Sequence, residues 1–230
     1  MVERATNLHG GAIWRTYTSR AELSREVTAL VADSLALGLS ERGKGYAALA
    51  GGITPIPVYD RLAHIELDWA NVILCPTDER CAAPDHVARN DRMLRHAFQR
   101  GLAKEARITS LENNEEIAAL PAFDVVLLGM GGDGHIASLF PHSEGTAAAM
   151  NVDSSEATHK VVPDPLPADA PFVRLTLTLA RLINAHKIVV MMTGEDKRKI
   201  ALAATEPGDP LDPPIRGLIA AAHVEMHWSA

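Results

Sequence analysis

The stretch Asp124-Val-Val-Leu-Leu-Gly-Met-Gly-Gly-Asp-Gly-His-Ile-Ala-Ser-Leu-Phe-Pro141 joins two unlike pieces. Val125, Val126, Leu127 and Leu128 form an uninterrupted apolar run of strand length, the pattern of a parallel strand covered on both faces. Gly129, Gly131, Gly132 and Gly134 then supply more glycine than packing requires, with Asp133 and His135 set among them. Such a backbone can turn sharply or approach another molecule closely. An imidazole delivered by a glycine loop at the carboxyl end of a central strand stands where an open α/β sheet places its chemistry.

Working outward, the same alternation of strand and helix recurs along the chain. Ile13 to Tyr17 is β-leaning, and Ser19 with Glu22 has capping-box spacing before an amphipathic helix from 20 to about 41. Tyr46 to Ala50 is a short apolar run ending in Gly51-Gly52-Ile53-Thr54-Pro55, where Thr54 can cap a helix and Pro55 can take its first position. N–H groups exposed at such a turn favour an anion, although taken alone the turn reads as a tight strand–helix connection. Asn71 to Cys75 is the next strand, followed by Asp78, Glu79 and Arg80. A charged triplet usually marks a solvated loop, but this one falls at a strand end.

Residues 86 to 100 read as a helix with Val87, Met93, Leu94 and Phe98 as core candidates, and Arg107 to Thr109 as a short strand. From His142 to Ala170 the chain is irregular, with Val161 and Val162 its only strand seed. Phe172 to Leu179 alternates, a short helix runs to about Ala185, and Ile188 to Met192 is another buried strand. Thr193 to Lys197 opens a helix reaching about Ala204, with Lys197 near its start. A helical turn from Ile215 to Ala222 leads to a last strand, His223 to Trp228. This pattern predicts an α/β fold: one domain over 1–230, three-layer αβα, with a mostly parallel, Rossmann-like sheet and a small irregular or β excursion. The loops at 51–54, 129–135 and 193–197 would gather on one edge of the sheet, joined by 78–80.

The 230 residues carry 22 basic and 29 acidic side chains, a formal net charge of −7, with no basic block. Nucleic acid is therefore not the expected partner, and an anionic small molecule would need a local cluster of cations and backbone N–H groups. No apolar run approaches membrane-spanning length and the first residues lack an apolar signal core, so no membrane partner and a cytoplasmic location are expected. The two cysteines, Cys75 and Cys81, match no zinc or redox spacing and are expected to be reduced. No metal site is implied. His223 and His227 can share one face of a strand, but no third ligand accompanies them.

Gly129, Gly131 and Gly134 satisfy G-x-G-x-x-G, so a nicotinamide oxidoreductase must be considered. The context weakens this reading, because that fingerprint normally opens a long helix after the first strand, and here Pro141 follows closely in mid-chain. Neither a Walker loop nor a G-x-S-x-G elbow occurs.

Four blocks together resemble the glucosamine-6-phosphate isomerase/6-phosphogluconolactonase family: Gly51-Gly-Ile-Thr-Pro55, Asp78-Glu-Arg80, Gly129 to Pro141, and Arg174-Leu-Thr-Leu-Thr178 with Gly194 to Lys197 downstream. The third block is the most specific. Deaminase members usually continue from the shared Gly-His toward Asn-Glu-Pro and carry Asp-Glu-Tyr-like residues at the second block; this chain has the lactonase form at both. It departs in Ile53, where serine is usual, and in Arg89, where serine commonly precedes Asn90. The resemblance implies hydrolysis of 6-phosphoglucono-1,5-lactone to 6-phosphogluconate, without metal or organic cofactor. It implies His135 as general base and later acid, a role that an imidazole can fill near neutral pH, with Asp133 orienting it or polarising the water. Gly51, Gly52, Thr54, Asp78, Arg80, Arg174 and Lys197 would bind the sugar phosphate. The chain is then expected to act on a small molecule as a monomer or weak homodimer. A sugar-phosphate isomerase or deaminase and a non-catalytic sugar-phosphate sensor are the other readings.

Overall fold

The strands present alternate residues to two apolar layers, and this alternation sets the architecture. The structure, a computed structural model, describes residues 6–9, 11–168 and 170–230. The strands are β1 (Thr6–His9), β2 (Ala12–Tyr17), β3 (Gly45–Leu49), β4 (Val72–Pro76), β5 (Asp78–Arg80), β6 (Arg107–Ile108), β7 (Val125–Gly129), β8 (Thr158–Val161), β9 (Arg174–Leu177), β10 (Ile188–Thr193) and β11 (Val224–Ser229). Eight of them form one sheet in the order β1-β2-β11-β10-β7-β3-β4-β6. Every pairing in it is parallel except β1 with β2.

On one face, Val125 and Leu127 of β7, Ala47 and Leu49 of β3, and Val189 and Met191 of β10 pack with α1 (Arg20–Arg42), α2 (Ile56–Leu62) and α3 (Asn90–Phe98). On the other, Val126, Leu128, Tyr46, Ala48 and Val190 pack with α4 (Asn114–Ala119), α5 (Thr146–Ala149), α6 (Leu179–Ile183), α7 (Glu195–Ala203) and α8 (Pro214–Ala221). The result is three layers, as the uninterrupted apolar runs predict for strands buried on both sides.

The long helix α1 starts and stops where its sequence directs. Ser19 accepts a hydrogen bond from the Glu22 N–H at 3.1 Å, and Gly43 ends the helix at φ +69°, its N–H donating to Leu39 O. Near that end Gly38 meets Asp124, the residue before β7. The buried Asp124 carboxylate accepts the Tyr46 N–H at 2.7 Å and pairs with Arg42, which ties the carboxyl end of α1 to the amino ends of β3 and β7. A Cβ at Gly38 would lie 2.3 Å from the Asp124 carboxylate.

β5, β9 and β8 form a separate antiparallel sheet in that order. Only Thr77 separates β5 from β4, so this small sheet springs from the carboxyl edge of the large one. The charged triplet is accordingly a strand and not a solvated loop: Asp78 is 8% and Glu79 1% exposed. The irregular stretch after His142 supplies β8 and α5, because β8 finds its partner in β9 rather than locally. The helix expected over 86–100 is confined to α3; Arg89 is extended, and Val87 is exposed rather than in the core. Thr54 does not cap α2, which begins at Ile56 behind Pro55 without a side-chain cap. Among the described residues no helix is long and apolar enough to cross a membrane.

Gly38→Ala offers a direct check on the α1 end. Alanine gains about 1 kcal/mol of helix propensity, but Asp124 is held from two sides and cannot yield cheaply. The variant is expected to lose roughly 1–3 kcal/mol of unfolding free energy in urea. Unchanged or increased stability would contradict the tie.

Candidate active site

In the sheet the chain runs outward from β3 through β4 to β6, then returns to β7 on the other side of β3 and runs on to β10 and β11. The loops leaving β3 and β7 therefore diverge, and open α/β sheets bind ligands at such a reversal. A cavity of about 440 Å³ lies there, closed on one side by the small sheet. Gly51, Gly52, Thr54, Asp78, Arg80, His135, Arg174 and Lys197 all line it. Asp133 does not; it lines a neighbouring cavity that shares His135 and Phe140.

The glycine loop after β7 is anchored by Ile136 and Leu139, both fully buried, and closed by Gly131 N–H to His135 O at 2.9 Å. Within it Asp133 Oδ1 lies 2.6 Å from His135 Nδ1 and accepts the His135 backbone N–H at 3.1 Å. Burial alone would raise the Asp133 carboxyl, but the hydrogen bond and charge of His135 hold it below its usual range. Beside an ionised Asp133, a neutral imidazole is favoured in the tautomer that carries its proton on Nδ1 and its lone pair on Nε2. The pair needs glycine at 131, where a Cβ would lie 2.2 Å from His135 Nδ1. Gly134 adopts φ +79° against Pro213. Phe140 supports the imidazole, with ring centroids 4.3 Å apart. No helix opens after β7, so the dinucleotide fingerprint lacks the helix it requires; α5 starts only at Thr146.

Three cations and one carboxylate line the cavity, so a chain of net charge −7 makes a locally positive site. Lys197 stands in the first turn of α7 and has no ion pair among the described residues. Arg80 Nη1 donates to the Ala88 carbonyl at 2.6 Å and to Asn90 Oδ1 at 2.8 Å, both neutral acceptors. Arg174 is buried and donates to Ala170 O at 2.9 Å. Gly52 turns at φ +87°, while Ile53 points its side chain to solvent, 86% exposed.

Asp78 is more enclosed than a substrate ligand on a loop would be. Its Oδ2 accepts from Ser138 Oγ at 2.6 Å and its Oδ1 from Asn90 Nδ2 at 3.2 Å. Glu79 accepts the backbone N–H groups of Arg80, Asn90 and Asp91 at 2.7, 2.7 and 2.8 Å. Burial pushes its carboxyl up to about 7 against those donors. Arg89 is buried beside it, bonded to both oxygens of Asp91 and to Glu112. Ser138 and Asn90 line the cavity and were given no site role in the sequence reading, which named Glu79 only within the charged triplet. Ser138 lay inside the quoted loop, but nothing local marks it as the partner of Asp78.

The other histidines flagged in the sequence do not meet. His227 is buried against Tyr17, whose hydroxyl is 2.8 Å from Nδ1, whereas His223 is exposed and precedes β11. Among the described residues no group of three or more His, Cys, Asp or Glu could hold a metal ion. Cys75 is buried and Cys81 exposed, and both are free.

The family model for glucosamine-6-phosphate isomerases/6-phosphogluconolactonase matches residues 18–228. The chain is 34% identical to a 6-phosphogluconolactonase of Mesorhizobium japonicum, over 94% of this chain and 94% of that protein. It is 33% identical to one of Pseudomonas aeruginosa, over 96% of each. The crystal structure of a 6-phosphogluconolactonase from Shewanella baltica superposes with a TM-score of 0.86 at 28% identity, covering 94% of this chain and 97% of that one.

Ser138→Ala removes the donor from a buried Asp78 oxygen. A loss of about 1–3 kcal/mol is expected in urea unfolding. Undiminished stability would mean that the contact contributes nothing.

Proposed function

Because the chain belongs to the glucosamine-6-phosphate isomerase/6-phosphogluconolactonase family, we propose that it hydrolyses 6-phosphoglucono-1,5-lactone to 6-phosphogluconate, a step of the oxidative pentose phosphate pathway. The observation that carries this reading is one cavity holding His135, paired to Asp133 by its Nδ1, together with three cations. A lactone with a remote phosphate needs both. Arg80, Lys197 and the N–H groups from Gly52 to Thr54 hold the phosphate, and Arg174 assists there or at the developing oxyanion. Phosphate binding then positions the lactone carbon against the imidazole.

In the reaction, His135 Nε2 takes a proton from water as its oxygen bonds to the lactone carbonyl carbon. The carbonyl electrons move to oxygen, giving a tetrahedral oxyanion that nearby donors stabilise. The oxyanion collapses, the bond from that carbon to the ring oxygen breaks, and the imidazolium returns its proton to the ring oxygen. Asp133 stays ionised throughout, holding the ring orientation and offsetting the imidazolium charge. Every step uses groups of this chain, and none calls for a metal ion. The deaminase reading is less well supported, since the curated relatives named above are lactonases and Ser138, in the lactonase form of the loop, engages Asp78.

The test is acid release from freshly prepared lactone, measured above its spontaneous hydrolysis. The purified chain should accelerate it and should release no ammonia from glucosamine 6-phosphate; the opposite pair of results would replace the proposal with the deaminase. His135→Ala should remain folded and lose about a hundredfold or more in kcat. Arg80→Ala should act chiefly through KM, and a variant with unchanged KM would remove Arg80 from the phosphate site.

A further inference from the structure

The anion half of the cavity is bounded by segments from different strand ends: the turn at Gly51 and Gly52 after β3, Arg80 on β5, and the loop after β7 at Ser138. One side chain joins them. Asn90, the first residue of α3 and 1% exposed, accepts from Arg80 Nη1 at 2.8 Å through Oδ1. Its Nδ2 donates to the Asp78 carbonyl at 2.7 Å and to Asp78 Oδ1 at 3.2 Å, and Asp78 Oδ2 in turn holds Ser138. The same amide occupies the space above Gly51, where a Cβ would lie 2.1 Å from Asn90 Oδ1. Glu79 fixes Asn90 from beneath through the backbone N–H.

The chemistry of this side chain matters as much as its place. An amide is the group that accepts from a guanidinium on one side and donates to a carboxylate on the other while carrying no charge. The Ala88 carbonyl and the Asn90 amide oxygen that accept from Arg80 are both neutral, and among the described residues no carboxylate forms an ion pair with its guanidinium. Its positive charge is therefore not tied up in an ion pair among the described residues. A carboxylate at position 90 would cancel it and would also face the oxygens of Asp78. A hydroxyl would be too short to span both.

We infer that Asn90 is a positioning residue: it aims Arg80, with its charge intact, at the phosphate monoester of the substrate, and links that arm through Asp78 to Ser138 of the loop that carries His135. The inference rests on the lactonase reading for the identity of the substrate, but it stands on the anion site alone for the identity of the recognised group.

The experiment compares the wild type with Asn90→Asp and Asn90→Ser in two measurements. The first is the dissociation constant for inorganic phosphate, by calorimetry or thermal stabilisation; the second is the kinetics of lactone hydrolysis, with KM and kcat separated. Asn90→Asp should weaken phosphate binding by about tenfold or more and raise KM to match, as loss of one charge-assisted contact implies. Asn90→Ser should weaken phosphate binding by a smaller factor, because Arg80 loses its aim and keeps its charge. A purely structural role would lower Tm while leaving the folded variants with the phosphate constant and KM of the wild type, and that result overturns the inference. If Asn90→Asp does not fold, Asn90→Ser decides by the same criterion. A wild type without lactone turnover would sink the functional reading, while the phosphate constants would still decide the role of Asn90.

Discussion

The parallel pairing of β3 with β7 places Ala47, Ala48 and Leu49 beside Val125, Val126 and Leu127. One further hydrogen bond, Ala50 N–H to Leu127 O at 2.9 Å, extends it to the carboxyl end. From there the two backbones part, one into the Gly51–Gly52 turn and the other into the loop of Asp133 and His135. Everything else at the site depends on that adjacency. The apolar side chains of both strands are buried on both faces, so a slip of register by one residue would turn each strand's core set to the wrong layer. The separation between anion turn and imidazole is thus set by core packing, far below the cavity.

Electrostatics then divides the cavity into two halves of different character. At the imidazole, a carboxylate held ionised by its histidine partner fixes which nitrogen carries the proton. At the other end, Arg80 and Lys197 keep charges unopposed by ion pairs among the described residues. The buried carboxylates nearby, Asp78 and Glu79, are occupied elsewhere, by Ser138 and by backbone N–H groups. Acidic groups so close to Arg80 would otherwise oppose an anion there. Their occupation lets them act as anchors for the small sheet and for α3.

The parts of this arrangement that depend on local chemistry were legible in the sequence. Four apolar residues before a glycine loop marked β7, and Ser19 with Glu22 marked the start of α1. The G-x-G-x-x-G spacing, with Pro141 close behind it, is followed by no helix before α5. Parts that depend on distant partners were not legible. Asp78 to Arg80 is too short to read as a strand, and becomes one only by pairing with β9, far along the chain. Val87 carried an apolar side chain at helical spacing, but the helix begins after it, at Asn90. Asn90 and Ser138 are ordinary polar residues until the fold sets them against Arg80 and Asp78. The capping role expected of Thr54 failed because the chain turns through Pro55 before α2 begins.

The central claim is that one cavity holds a phosphate at its cationic end and a lactone carbon at its imidazole end. A crystal structure of the wild-type chain with 6-phosphogluconate tests it most directly. The phosphate oxygens should lie about 3 Å from Arg80, Lys197 and the N–H groups of the Gly52 turn, with the product carboxylate beside His135 Nε2. The reverse orientation, with the carboxylate on Arg80 and the phosphate against His135, would contradict it, as would product bound outside this cavity.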